Sequence, residues 1–324
     1  MSSSTRPLPD EARPQLIDRI SRAIRLRYYQ HVYARKILAT PPVAPHPDSN
    51  FEVHVLTRDE EVLETLWSLK SWYHFSGTRP RLVVYEGGTL STESIGVLER
   101  HFPSCRIVRR ERFDRDMSRF LSDHPAALQH ARLGSFYCAL KLFGPLYYTE
   151  AHSVLYFDSD VLFFRKPHEM LELVERGSAF FNSDYQDAYA HSPEFIRTRL
   201  GMDIEPQVNA GLFHVSKEHH GNAMDLAEDY FSRIPPADPS HWTINRHEQT
   251  VNAILLTGAN AVRLSGAHQI SRTPLTDRTV SHHFVDDGSR PEYFATGLRR
   301  LRRDGFLRRL RGASPPPPSR TPTR

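Results

Sequence analysis

Cysteine is scarce in this sequence, and long apolar stretches are missing from it. The 324 residues include two cysteines, Cys105 and Cys138, and neither has a partner at the spacing of a metal site. The sequence therefore indicates neither a disulfide framework nor a zinc site, and a reducing compartment fits. No stretch approaches the roughly 18 uninterrupted apolar residues of a spanning helix, and residues 1–14 lack the apolar core of a signal peptide. We therefore expect a cytoplasmic protein.

Several other signals are also missing. The sequence shows no internal repeat and no helix-turn-helix, zinc or RNA-binding motif, so nucleic acid is not an expected partner. The net charge of +4 is modest, and the arginines are concentrated near the two ends. No glycine-rich, basic phosphate loop follows the first apolar strand, "FEVHVLT", and this argues against a nucleotidyltransferase.

Three segments can be told apart by their pattern. Residues 1–50 hold a basic amphipathic helix and a Pro-rich linker, and residues 291–324 hold a second basic amphipathic helix and a Pro-rich tail that we expect to be disordered. Between them, residues 51–290 alternate short apolar strands with helical segments, the signature of a parallel α/β unit. We expect an α/β domain with a mixed, mostly parallel sheet flanked by helices.

The stretch "SVLYFDSDVLFF", residues 153–164, places two acids in an otherwise apolar run. Asp158 and Asp160 would point the same way in an extended chain, while Ser159 would face elsewhere. Two carboxylates that close repel each other unless they are neutralised, and Mg²⁺ and Mn²⁺ prefer oxygen ligands. Ligands of open α/β sheets also bind at the carboxyl ends of the strands. The stretch predicts a divalent metal site, and the alternative is a turn in which Asp-Ser-Asp only bonds the backbone.

This stretch resembles the D-x-D segment of the GT-A-fold nucleotide-sugar glycosyltransferases. Later segments match in order, closest to the family 8-like, glycogenin-like retaining enzymes: "VNAGLFHVS" resembles their N-x-G segment, "HEQTVNAILL" their Asp-Gln helix with Glu in place of Asp, and "SHHFVDDGSRP" their late His-aromatic strand. The resemblance spans about residues 51–291. It implies a Rossmann-like GT-A fold and metal-dependent transfer of a sugar from a nucleotide diphosphate donor, with UDP favoured, to an unknown acceptor.

The resemblance also implies a metal site and a donor site. Asp158, Asp160 and His283 would hold Mn²⁺ or Mg²⁺, and the imidazole would favour manganese; His282, next to the ligand, is expected to be structural. Lys141 and Arg290 would contact the diphosphate, Arg290 in place of the lysine of the family, although Lys141 also fits a surface lysine. The remaining donor-binding positions are Val55, Leu56, Thr57, Ser159, Asn209 and Gly211.

Catalytic roles follow from the same resemblance. Gln249 matches the glutamine that lies near the anomeric carbon, where an amide could stabilise positive charge during retaining transfer. Inverting transfer would instead need a carboxylate base, for which Glu248 and Asp184 are the candidates. Glu248 equally fits the first-turn acid of a helix, and Asn209 with Gly211 equally fits a bulge.

Three questions stay open in the sequence. The acceptor, whether a glycan, a lipid-linked sugar or a protein, would be selected by the loop at residues 185–207, which the sequence does not decode. A sugar-nucleotide or protein-binding module without activity is the main alternative to an enzyme. The basic ends fit peripheral contact with an anionic membrane at its inner surface, packing on the domain, or a solvated face.

Overall fold

The structure is a computed structural model that describes residues 21–46, 49–133, 137–234, 241–285 and 290–312, with no side chains for residues 241–244. The chain forms two compact units, one of Pro42–Asp286 and one of the two ends, Met1–Pro41 and Asp287–Arg324. The predicted Pro-rich tail from residue 313 onward and the beginning of the first basic helix lie outside the described residues.

In the described part of the larger unit, ten strands form two sheets. The strands are β1 Phe51–Thr57, β2 Arg81–Glu86, β3 Arg106–Val108, β4 Ser153–Phe157, β5 Val161–Phe163, β6 Phe180–Ser183, β7 Val208–Ser216, β8 Val262–Arg263, β9 His268–Ile270 and β10 Ser281–His283. The main sheet has the order β3-β2-β1-β4-β7-β6-β8, and the small sheet has the order β5-β10-β9. The main sheet is parallel except where β7 pairs with β4 and β6. It is therefore mixed and mostly parallel, as predicted.

Nine helices accompany these strands in the described part of the unit. They are α1 Val62–Ser76, α2 Thr92–His101, α3 Arg110–Phe120, α4 Pro125–Ala131, α5 Ala139–Tyr148, α6 His168–Glu175, α7 Pro193–Leu200, α8 Ala223–Arg233 and α9 His241–Gly258. We expected a loop where α7 lies. Its signals are local, because the Ser192 side chain accepts a hydrogen bond from the Phe195 N–H, Pro193 begins the helix, and Gly201 ends it in the left-handed conformation.

The central strands are covered on both faces. Every residue of β1, β4 and β7 is buried, which explains why these segments read as nearly continuous apolar runs. Polar groups within them are paired: the Tyr85 hydroxyl lies 2.7 Å from Nδ1 of His54, and Nε2 of that histidine lies 3.1 Å from Oε2 of Glu52. The core therefore tolerates Glu52 and His54 because each finds a hydrogen-bond partner.

The link from β4 to β5 leads from the main sheet into the small sheet. In the small sheet β10 runs antiparallel to β5, with His283 opposite Val161. This pairing brings His283, which is far along the chain, beside the Asp158–Asp160 segment that joins β4 to β5. The two sheets thus meet at the carboxyl end of β4.

The unit formed by the chain ends is helical. Residues 21–39 are helical and include a π-helical turn, Tyr28–Tyr33, and a 3₁₀ turn, Ala34–Ala39. The guanidinium of Arg302 lies 5.4 to 6.0 Å from the ring centres of Tyr28, Tyr29 and Tyr33, so cation–π contacts join the two ends of the chain. Among the described helices, none has the length and apolar character that crossing a membrane requires.

Packing of α5 on β2 requires a glycine at position 144. A Cβ there would lie 2.6 Å from Cζ of Tyr85, whose side chain is fully buried and cannot move aside. We expect Gly144→Ala to lower the free energy of unfolding by about 1–3 kcal/mol, because the core is overpacked. The measurement is urea unfolding followed by circular dichroism.

Gly96→Ala is the matched control for this change. Gly96 lies within α2, and a Cβ there would meet no atom within 4 Å. Because alanine favours a helix interior by up to about 1 kcal/mol over glycine, this variant should be as stable as the parent or more so. Similar losses in both variants would contradict the packing argument.

Candidate active site

A cleft of about 330 Å³ opens at the carboxyl ends of β1 and β4. Most of the site residues predicted from the sequence line it: Leu56, Lys141, Asp158, Ser159, Asp160, Asp184, Asn209, Gly211, Glu248, Gln249 and His283. Val55 and Thr57 are not among the lining residues, and Arg290 belongs to the unit formed by the chain ends. The cleft therefore collects residues from seven separate parts of the chain.

Two carboxylates and one imidazole form a candidate metal centre in this cleft. One ligand atom each from Asp158, Asp160 and His283 lies within 4.8 Å of the other two. Nε2 of His283 is 3.0 Å from Oδ1 of Asp160 and 3.6 Å from Oδ2 of Asp158. Burial lowers the pKa of His283, but the carboxylates of Asp160 and Asp158 raise it by more. The pKa of His283 is therefore above its usual value.

The donor atoms of this centre fit a divalent cation. Oδ1 of Asp160 is buried, and no described group donates a hydrogen bond to it. It faces the imidazole nitrogen, so two atoms with lone pairs confront each other unless a proton or a cation lies between them. Two carboxylate oxygens and one imidazole nitrogen suit Mn²⁺ better than Mg²⁺, which prefers oxygen alone.

A second layer of hydrogen bonds orients the imidazole. Nδ1 of His283 lies 2.9 Å from Oδ1 of Asn209, and the amide nitrogen of Asn209 donates to Oδ2 of Asp184 at 3.0 Å. Because the amide oxygen can only accept, the hydrogen of the neutral ring is on Nδ1, and the Nε2 lone pair faces the carboxylates. Gln249 donates to the same Asp184 oxygen at 3.4 Å, which continues the chain of polar groups to α9.

Gly211 gives the ligands the space that they need. A Cβ at this position would lie 2.0 Å from Cε1 of His283 and 2.6 Å from Oδ2 of Asp158. The Gly211 N–H donates to Oδ1 of Asn209 at 3.0 Å, and the Asp158 N–H donates to the Gly211 carbonyl at 2.9 Å. The glycine thus lies against two of the three predicted metal ligands.

Lys141 and Glu248 form a buried ion pair at the floor of the cleft. Nζ of Lys141 lies 3.1 Å from Oδ2 of Asp158 and 3.7 Å from Oε2 of Glu248. Burial lowers the pKa of Lys141, but these carboxylates raise it well above its usual value, so the amine stays charged. The lysine is 6% exposed, and the alternative of a surface lysine is therefore wrong. Burial raises the pKa of Glu248 to about 7.

The Asp-Ser-Asp segment is a turn, and not the extended chain that we expected. The Val161 N–H donates to the Asp158 carbonyl at 3.2 Å, and Ser159 lines the cleft together with both acids. Both carboxylates nevertheless face His283, because β5 pairs with the strand that carries it. The turn and the metal site, which we set as alternatives, are compatible here.

Sequence reasoning missed Tyr156. Its hydroxyl donates to Oδ1 of Asp158 at 3.0 Å, and its ring lies under the Lys141 amine, 5.3 Å from the ring centre. The signal was available, because residues two apart in a strand face the same side and Tyr156 precedes Asp158 by two.

Two other residues named in the sequence analysis, Thr57 and His282, contact buried neighbours. The Thr57 hydroxyl lies 2.7 Å from that of Thr65 on α1, so the side chain points into the core. His282 is buried and its ring packs on Phe284, with 4.3 Å between centroids, as a structural residue would. Within β1, Leu56 is the side chain that reaches the cleft.

Comparison with known proteins bears on the fold. No family model matches the chain, and no curated protein matches its sequence. The WbbM bifunctional glycosyltransferase in its apo form is similar over 84% of this chain and 53% of that chain, at 10% identity and a TM-score of 0.50. The apo form of mouse xyloside xylosyltransferase 1 is similar over 76% of this chain and 99% of that chain, at 12% identity and a TM-score of 0.48. The galactosyltransferase LgtC, in complex with donor and acceptor sugar analogs, is similar over 82% of this chain and 97% of that chain, at 16% identity and a TM-score of 0.46.

These identities are low, and the similarity to WbbM therefore shows the fold alone. Together with the mostly parallel seven-stranded sheet and its flanking helices, it identifies the GT-A fold and confirms the fold class predicted from the sequence. The narrower resemblance to the family 8-like enzymes stays a prediction.

The geometry around Gly211 predicts the effect of one methyl group. We expect Gly211→Ala to weaken Mn²⁺ binding by about tenfold or more, the range seen when groups that position ligands are disturbed, because the Cβ pushes His283 and Asp158 apart. The measurement is titration of Mn²⁺ followed by electron paramagnetic resonance. Gly221→Ala, where the nearest atom to a Cβ is 3.9 Å away, is the control. Equal Mn²⁺ affinity in both variants would contradict the assignment of the ligands.

Proposed function

We propose that this protein is a metal-dependent glycosyltransferase that moves a hexosyl group from a UDP-sugar to an acceptor with retention of anomeric configuration. The observation that carries the proposal is the meeting of Asp158, Asp160 and His283 at one end of a GT-A sheet, beside a buried lysine. Such a sheet binds ligands at the carboxyl ends of its strands, where these groups lie. Mn²⁺ is the proposed ion.

The donor would lie along the floor of the cleft. A cation held by Asp158, Asp160 and His283 would take up negative charge on the diphosphate as it leaves. Lys141 adds a second, fixed positive charge at the same place, and its burial strengthens its interaction with an incoming phosphate. Leu56, at the end of β1, offers an apolar contact for the nucleoside side of the donor.

Retention is supported by the groups opposite the metal centre. In the transfer, the acceptor oxygen bonds to the anomeric carbon, the bond from that carbon to the diphosphate oxygen breaks, and the acceptor proton passes to the leaving diphosphate. Gln249 donates its amide hydrogen to Asp184, which leaves its amide oxygen to stabilise positive charge at the anomeric carbon. Both oxygens of Asp184 already accept hydrogen bonds, from Tyr185 on one side and from Asn209 and Gln249 on the other.

One observation favours the inverting alternative. Glu248 lines the cleft, and burial raises its pKa to about 7, close to the value that suits a general base at neutral pH. Its neighbours are the Lys141 amine and the Asn252 amide. The anomeric configuration of the product, determined by NMR, separates the two mechanisms.

The metal ligands predict how nucleotide binding responds to mutation. We expect UDP to bind in the presence of Mn²⁺ and not after chelation, and we expect Asp158→Asn or Asp160→Asn to lower that affinity by at least about tenfold, because each removes a charged ligand of the cation. Calorimetric titration of UDP, and of GDP for comparison, measures this.

Asp203→Asn is the control, since this aspartate is exposed and does not line the cleft. Binding of UDP without Mn²⁺, or unchanged Mn²⁺-dependent binding in both ligand variants, would contradict the proposal. Normal Mn²⁺–UDP binding without any transfer or hydrolysis of UDP-sugars would instead favour the binding module without activity.

We also propose that the unit formed by the chain ends contacts an anionic membrane surface. Residues 21–41 and 290–312 contain thirteen Lys and Arg and two acidic residues. The leucines of the second basic segment, Leu298, Leu301, Leu307 and Leu310, are buried, so this segment offers a partner its exposed arginines and not its leucines. Attraction to anionic lipid is worth about 1 kcal/mol for each basic residue near the surface.

Vesicle binding tests this proposal. We expect sedimentation with vesicles of phosphatidylserine and phosphatidylcholine, loss of binding with phosphatidylcholine alone or at high salt, and weaker binding after Arg25→Ser, Arg27→Ser and Arg35→Ser together, because these exposed arginines supply the charge. The control replaces Arg115, Arg197 and Arg199, which are exposed on the larger unit. Equal effects of the two triple variants would assign the binding to overall charge instead.

A further inference from the structure

The charge of the cleft changes between its floor and its rim. On the floor the Lys141 amine lies beside two carboxylates, those of Asp158 and Glu248. At the rim, Arg246 lines the same cleft and is exposed. None of the described residues forms a hydrogen bond or an ion pair with its guanidinium.

A chain of hydrogen bonds runs from the metal centre to Gln249, which lies on the same helix as Arg246. From His283 the contacts run to Asn209 at 2.9 Å, from there to Asp184 at 3.0 Å, and on to Gln249 at 3.4 Å. Arg246 precedes Gln249 by three residues on α9 and therefore lies on the same face, about one turn further on. A donor whose diphosphate lies at the metal centre would leave the part of the cleft beside Arg246 free for the acceptor.

A second guanidinium stacks on a side chain that lines the cleft, although Arg272 is not itself a lining residue. The backbone N–H of Tyr185 donates to Asp184, the Tyr185 side chain lines the cleft, and Arg272 lies over its ring at 4.4 Å from the centroid. Arg272 has φ of 72°, a left-handed conformation that is unfavourable for a residue with a Cβ. Strained backbone of this kind tends to persist where it positions a functional group.

We propose that the acceptor carries an anionic group, a phosphate or a carboxylate, which Arg246 and Arg272 bind. This inference rests on the proposed glycosyl transfer, and it specifies the chemical class of the acceptor. No described residue accepts a hydrogen bond from either guanidinium, so both have donors that match the two oxygens of a phosphate or carboxylate. A donor diphosphate bound at the metal centre would repel such a group, so the anion stays at the rim while a hydroxyl of the acceptor reaches the anomeric carbon.

Binding of matched sugars to the protein saturated with Mn²⁺ and UDP tests the proposal. The probes are methyl glucoside, its 6-phosphate, methyl glucuronide, and glucose linked to a prenyl diphosphate in detergent micelles. We expect at least one anionic probe to bind about tenfold or more tightly than methyl glucoside, and the probe that does so identifies the source of the charge. Isothermal titration calorimetry gives the affinities.

Substitutions assign the preference to the two arginines. We expect Arg246→Gln and Arg272→Gly each to reduce the ratio of anionic to neutral affinity by about 10- to 100-fold, the contribution of a hydrogen bond to a charged group. Glycine at 272 suits the left-handed backbone, so a loss of preference there does not come from misfolding. Arg115→Gln, which changes an exposed arginine of α3 outside the cleft, should keep the preference.

Each outcome decides between the inferences. Equal affinity for anionic and neutral probes, or a preference that survives both substitutions, overturns this proposal. Because Mn²⁺–UDP affinity is measured in the same samples, its absence from the parent protein would overturn the proposed function, whereas intact Mn²⁺–UDP binding without an anionic preference overturns the acceptor inference alone.

Discussion

Close packing of a glycine against two ligand side chains holds the candidate site together. Gly211 lies on β7 of the main sheet, and the space that a Cβ would occupy is filled by His283 of the small sheet and by Asp158. The two sheets can approach this closely only because position 211 has no side chain. The turn from Asp158 to Asp160 connects the same sheets along the chain, so the ligands meet only when both sheets are formed.

Electrostatics set the chemistry of this junction. Lys141 is buried against Asp158 and Glu248, and this pairing keeps the amine charged in a place where burial alone would favour its neutral form. Asp160, unlike Asp158 and Glu248, has no lysine beside it among the described residues. Its buried Oδ1 faces the imidazole of His283, and no described group donates a hydrogen bond to it. The site thus has a deficit of positive charge at one well-defined point. A divalent cation fits this deficit, and the proposed donor diphosphate fits the cation.

Local patterns were informative where one element decides the environment. The buried strand before Asp158, the D-x-D spacing and the helix that carries Glu248 and Gln249 are all properties of short segments, and the order of the motifs was enough to predict the mixed α/β sheet. Tyr156 was within reach of the same reasoning. The turn at Asp158–Asp160 was not, because its conformation depends on the pairing of β5 with a strand more than 100 residues later.

The sequence by itself determined most of the succession of strands and helices, with α7 missed, because hydrophobic periodicity and turn residues act over a few positions. It also determined which residue types could bind a metal. Only the tertiary structure decided that Thr57 bonds Thr65 inside the core, that Lys141 is buried, and that Arg246 and Tyr185 line the same cleft. Those outcomes depend on contacts between segments far apart in the chain. The residues next to a side chain in the sequence do not indicate which distant segment will pack against it.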